Sequence, residues 1–117
     1  MLHLCDAAFA WPPAALGPPR KLLAFPEFTL TGFDDTWTRK DWLNIAIMVP
    51  GPETELIAQK AKELDCYIEF GAHTQDPDWP GHFFNCSLII SPEGKVIHTH
   101  WKPYVGFPGY LGLEYST

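Results

Sequence analysis

Residues 44–72 read NIAIMVPGPETELIAQKAKELDCYIEFGA, and their order decides the fold. Residues 44–49 are a short apolar run, a strand by length and composition, closed by Pro50-Gly51-Pro52. A helix is expected over Pro52–Leu64. Proline suits a first helical turn, where its missing N–H would lack a partner anyway. Glu53 and Glu55 sit at the positive end of the dipole, Lys60 and Lys62 toward the negative end. Ile57, Ala61 and Leu64 recur at i, i+4 and i+7 with Leu56 beside them, one apolar stripe for one buried face. Residues 66–72 then read as a further strand. Strand, helix, strand is a βαβ unit, which implies parallel pairing and a right-handed crossover.

Upstream, residues 22–25 (Leu-Leu-Ala-Phe) form a continuous apolar run that suits a central strand covered on both faces. Pro26 cannot donate to a ladder and ends it. Glu27 therefore stands at the strand's carboxyl end between Phe25 and Phe28, where open α/β sheets bind ligands. Residues 29–42 read as a loop holding Gly32, Trp37 and Trp42, and residues 73–83 as a second loop rich in Asp, Pro and Gly. Residues 86–91 and 95–101 flank Pro92-Glu93-Gly94, a tight turn with proline second, and so form an antiparallel hairpin. Residues 1–20 carry two breaker clusters and read as irregular, with a frayed helix near residues 6–10. The ordered domain is expected over residues 21–117. Four strands and one helix leave one sheet face bare.

Composition narrows the function. The 117 residues hold 8 Lys+Arg against 14 Asp+Glu, a net charge of −6, so there is no basic stripe to neutralise phosphates or anionic lipid. No apolar run nears the ~20 residues that span a bilayer. Three cysteines, an odd and small number, fit reduced thiols and a cytoplasmic protein. Cys66 and Cys86 fall in strands, where burial makes them inert; Cys5 falls in the proline-broken terminus, expected to be mobile.

Four markers between Lys21 and Lys102 resemble the nitrilase, or carbon–nitrogen hydrolase, superfamily. They are Leu23-Ala24-Phe25-Pro26-Glu27-Phe28 with Gly32 downstream; Pro52-Glu53-Thr54-Glu55 opening a helix; Phe84-Asn85-Cys86-Ser87 leading into Ser91-Pro92-Glu93-Gly94-Lys95; and His100-Trp101-Lys102. The resemblance implies an α/β fold, part of an αββα sandwich of two helix-covered sheets. It covers a central portion of the family's domain, so that truncation at both ends is expected. It implies hydrolysis of a non-peptide C–N bond through a cysteine thioester, without cofactor. Glu27 would be the general base and Lys102 the cation that stabilises the tetrahedral intermediate. Asn85 and Gly32 would be structural residues near the site, Asn85 bonding backbone, and Glu114 a candidate second acid. The nucleophilic cysteine follows the lysine in the family. Cys5, Cys66 and Cys86 all precede Lys102, so this chain is expected to lack it and to be inactive alone.

The residues themselves add physical reasons. A glutamate flanked by two phenylalanines is desolvated, which raises its pKa, and a nearby Lys102 would draw it back down. Small amides, nitriles and carbamoyl compounds remain equal as substrates. The competing reading is a catalytically inactive α/β module that pairs its uncovered sheet with another chain, a homo-oligomer being one such pairing. Glu69 stands where an apolar residue is expected and reads as an exposed position before it reads as a buried polar contact. His98 and His100 share a strand face with Lys102. With Cys66, His73, His82 and Cys86 they match no standard zinc spacing, and no metal is expected. Trp101, Tyr104, Phe107 and Tyr110 read as packing residues before they read as a substrate mouth.

Overall fold

A computed structural model of the chain describes residues 1–10 and 21–103. In chain order the elements are α1 (Leu2–Ala10), β1 (Leu22–Ala24), α2 (Arg39–Ile45), β2 (Ile47–Met48), α3 (Pro52–Leu64), β3 (Tyr67–Gln75), β4 (Phe84–Ile90) and β5 (Val96–Trp101). The five strands make one mixed sheet in the order β1-β3-β4-β5, with β2 also pairing β3. Leu22, Leu23 and Ala24 lie parallel to Tyr67, Ile68 and Glu69, while Ile47 and Met48 lie parallel to Thr74 and Gln75. Thus β1 and β2 share one edge of β3, and β4 holds the other edge antiparallel, from Ile68↔Ile90 to Thr74↔Phe84.

The βαβ unit forms as the sequence predicts. Gly51 caps α3, its N–H donating to Thr54 Oγ1 at 2.8 Å, and Pro52 opens the first turn. Asp65 ends the helix in the left-handed region, φ 48°, where a short polar side chain is tolerated. Alternate residues of β3 divide the interior. Ile68, Phe70 and Ala72 point at α3 and pack with Ile57, Ala58, Ala61, Leu88 and Ile90. Each Ile, Leu and Phe side chain among them contributes about 1.5–3 kcal/mol by leaving water, the alanines less. Cys5 and Phe9 of α1 close the same core, and Lys60 ties the helices together by reaching Asp6 at 2.8 Å. On the other face, His73 meets a second cluster of Trp42, Ala46 and Phe83.

Several expectations need correction. β1 is not a central strand covered on both faces: Leu22 is 55% exposed, because no described element covers the face opposite α3 there. Residues 44–49 are not one strand. Asn44 and Ile45 complete α2 and only Ile47–Met48 pairs, because Thr38 and Asp41 commit the preceding segment to a helix within residues read as loop. β3 runs on to Gln75 and takes His73 out of the expected loop, since β2 and Phe84 both offer ladder partners there. The N-terminal helix starts at Leu2, and Cys5 is fully buried in it rather than mobile. The hairpin matches expectation, its turn closed by Gly94 N–H to Ser91 O at 2.8 Å and Ser91 N–H to Lys95 O at 2.9 Å.

Candidate active site

Pro26 ends β1 and the chain turns back over β3. Three backbone ties fix that turn: Phe25 N–H to Glu69 O at 2.9 Å, Leu30 N–H to Gly71 O at 3.2 Å, and Gly32 N–H to Phe28 O at 2.7 Å. Gly71 allows the approach. A Cβ on it would stand 2.8 Å from both Glu27 Cα and Phe28 N. Phe28 adopts φ 62°, a conformation uncommon for a bulky residue and costly by ~1–3 kcal/mol. It turns its ring onto His73, stacked at 4.9 Å and 13°. Gly32, also at positive φ, ends the turn.

Glu27 thereby reaches the far end of the sheet. Lys102, just beyond β5, donates from Nζ to Glu27 Oε1 at 2.7 Å, across 75 positions of sequence. Asn85 Nδ2 donates to the same oxygen at 2.5 Å. The backbone N–H of Lys102 meets Asn85 O at 2.9 Å, so one β4 residue holds both charged groups. Both donors converge on Oε1, and no described residue donates to Oε2. The pair remains open to solvent, 42% and 46% exposed. Burial pushes the Glu27 carboxyl up, but the hydrogen bonds from Lys102 and Asn85 and the lysine charge together outweigh it and hold the group below its ordinary 4.5. Burial is the largest single influence, and only the hydrogen bonds and charges acting together overcome it.

The structure thus brings Glu27, Lys102 and Asn85 together, with Gly32 in the adjoining turn. Asn85 does more than bond backbone: its side chain holds the carboxylate. Glu114, Tyr104, Phe107 and Tyr110 lie outside the described residues. Trp101 stacks on Phe84 at 4.6 Å. Glu69 is half-buried and accepts a hydrogen bond from Ser87 Oγ, a cross-strand polar contact rather than an exposed position. Among the described residues no three His, Cys, Asp or Glu side chains gather to hold a metal.

The thiols stand apart from this cluster. Cys5 and Cys66 are fully buried in the α3-side core, and burial pushes both thiols up. Cys86 neighbours Asn85 in β4 and so points to the opposite face. Its sulfur lies 3.1 Å from Thr74 Oγ1, and burial pushes its pKa up to about 11. His73 is the residue near the site that sequence reading names only among zinc candidates and does not connect to Glu27. It pairs with Asn85 across the ladder and is fully buried. No local signal marked its place, since the His-Thr-Gln run is strand only through its ladder partners in β2 and β4.

The Carbon-nitrogen hydrolase family profile matches residues 12–107. Formamidases from Bacillus thuringiensis (strain Al Hakam) and Bacillus cereus (strain AH820) are each 37% identical over 86 residues, 73% of this chain. The chain spans about a quarter of their length, the match covering 25% of each. A crystal structure of an N-terminal amidase superposes with a TM-score of 0.72 at 21% identity, over 97% of this chain and 26% of that one. A carbon-nitrogen hydrolase from Helicobacter pylori G27 superposes with a TM-score of 0.69 at 10% identity, over 98% of this chain and 37% of that one.

Proposed function

Because the chain belongs to the carbon–nitrogen hydrolase family, we propose that it carries the base and the cation of an amidase-type site whose thiol lies outside these 117 residues. The observation that supports this reading is the 2.7 Å contact between Lys102 Nζ and Glu27 Oε1. In the complete site, Glu27 takes the proton of the thiol. The thiolate attacks the carbonyl carbon of a small amide, and the carbonyl π electrons move onto oxygen. Lys102 stabilises that oxyanion. Collapse expels the amine, which leaves with the proton from Glu27. Water, deprotonated by Glu27, then cleaves the thioester and restores the thiol. Similarity to proteins named formamidase supports a small amide, rather than a nitrile or carbamoyl compound, as the substrate class for this reading.

None of Cys5, Cys66 and Cys86 suits the nucleophile's part, since each is buried with a raised thiol pKa. The test is ammonia release from aliphatic amides, carbamoyl amino acids and nitriles. The chain alone should give no more than its Lys102→Ala variant. A product translated with in-frame flanking sequence should turn over amides and lose about 10²–10⁴-fold in Glu27→Gln. Full activity of that variant would remove Glu27 from the mechanism. Turnover by the chain alone that vanishes in Lys102→Ala would mean the nucleophile is among its own residues.

The alternative is an inactive module that pairs its open sheet face with another chain. Leu22 and Tyr67, 55% and 40% exposed on that face, are the observation in its favour.

A further inference from the structure

His73 lies in the same lateral row of the sheet as Asn85, directly opposite it across the β3–β4 ladder, and it also contacts the turn that carries Glu27. Its backbone N–H donates to Thr31 Oγ1 at 3.2 Å, and its Nδ1 lies 3.2 Å from the same hydroxyl. Its ring stacks on Phe28 at 4.9 Å. Trp42 backs the ring at 4.4 Å and Phe83 meets it edge-on at 5.7 Å. The imidazole is therefore clamped between an aromatic wall and the one segment that must hold Glu27 in place.

We infer that His73 is a positioning residue for Glu27: through Phe28 and Thr31 it locks the turn so that Oε1 stays on Lys102 and Asn85. The positive φ of Phe28 fits this role. A strained residue persists only where its surroundings hold it, and the flat contact with His73 is such a hold. Burial pushes the His73 pKa down to about 4, so at neutral pH the ring is uncharged and acts on the turn by packing and by its contact with the Thr31 hydroxyl. The charged groups around the locked segment include Glu27 itself, Lys102 and, from β3, Glu69, whose carbonyl accepts from Phe25 N–H. Gly71, two residues back on the same face, supplies the room, and His73 supplies the grip.

The inference rests on the proposed function only in naming Glu27 as the group that matters, so its test reads the carboxylate and not turnover. The side-chain carboxyl of Glu27 is titrated by NMR in the isotope-labelled full chain. The variants are Thr31→Val, which deletes the shared hydroxyl without changing charge, and His73→Phe, which keeps a stacked ring. If His73 holds the turn, Thr31→Val should raise the Glu27 midpoint by about half a pH unit or more, as its hydrogen bonds to Lys102 and Asn85 loosen. His73→Phe should raise it as well. A shift in His73→Phe alone would be a charge effect and would overturn the positioning role, because Thr31→Val leaves every charge in place. An unmoved midpoint in both folded variants would overturn it too. Should His73→Phe fail to fold, Thr31→Val decides by itself. Loss of amidase turnover in Glu27→Gln is a separate measurement, so failure of the catalytic reading leaves this result standing, and the reverse.

Discussion

At the scale of single residues, the site is a balance between desolvation and two donors on one oxygen. Removing either donor shows which one dominates. Lys102→Met takes away a hydrogen bond and a charge, and should move the Glu27 midpoint up by about one pH unit or more. Asn85→Ala removes a neutral donor and should move it less; a larger shift from Asn85→Ala would mean the lysine contact is incidental. His73 extends the same reasoning to stability. Its folded pKa of about 4 lies below its ordinary 6.5, so on acidification the unfolded chain binds the proton first. The stability this represents is complete above about pH 6.5 and is lost as pH falls toward 4, by at most about 3 kcal/mol. Glu27, also lowered, acts in the same direction but only below its ordinary 4.5. Urea unfolding between pH 7 and pH 4 should therefore show a shallower decline in His73→Phe than in the parent. Parallel curves would place the imidazole in contact with solvent.

At the scale of elements, what can be read from the sequence depends on whether the signal is local. Pro52, the apolar stripe of α3 and the Pro92–Gly94 turn carry their instructions within a few residues, and both elements form where expected. α2 also had a local signal, Thr38 three residues before Asp41. The Thr38 N–H meets Asp41 Oδ2 at 2.9 Å, yet tryptophans and turn residues on either side make the segment read as loop. Thr38→Ala should cost about 0.5–1 kcal/mol in unfolding free energy. Because α2 presents Trp42 to His73, the loss should also appear in the tryptophan fluorescence of the folded state. The strand character of residues 73–75 had no comparable local signal: a polar His-Thr-Gln run becomes strand only because β2 and β4 flank it. Gly71 belongs to the same class. Its need for a missing side chain is visible only once Glu27 and Phe28 are folded over it. Gly71→Ala must push backbone aside, at about 1–3 kcal/mol, and should raise the Glu27 midpoint along with lowering Tm. A lower Tm with an unchanged midpoint would separate the glycine from the site.

At the scale of the whole molecule, the sheet is supported unequally, and the site lies where support from either side meets. β3 has parallel partners along one edge and a seven-residue antiparallel partner along the other, with α3 and α1 packed on one face. Among the described residues β5 pairs only with β4, carries a register shift at Ile89/Ile90, and exposes Ile97 and Trp101 at 55% and 42%. Opening free energies within a domain range from near zero at such edges to the global value in its centre. Amide hydrogen exchange should therefore be slowest in residues 68–72 of β3 and their β4 partners, and faster by orders of magnitude in β5. Lys102 hangs from the weak strand and Asn85 from the strong one, joined by a single 2.9 Å backbone bond between them. The geometry of the pair should consequently be limited by β5. In the Glu27→Gln variant the lysine loses its charge partner, and exchange at Trp101 and Lys102 should accelerate while residues 68–72 keep their rates. Acceleration spread equally through β3 would mean that the Glu27–Lys102 pair supports the whole sheet rather than its edge, and that the site cannot be perturbed apart from the fold.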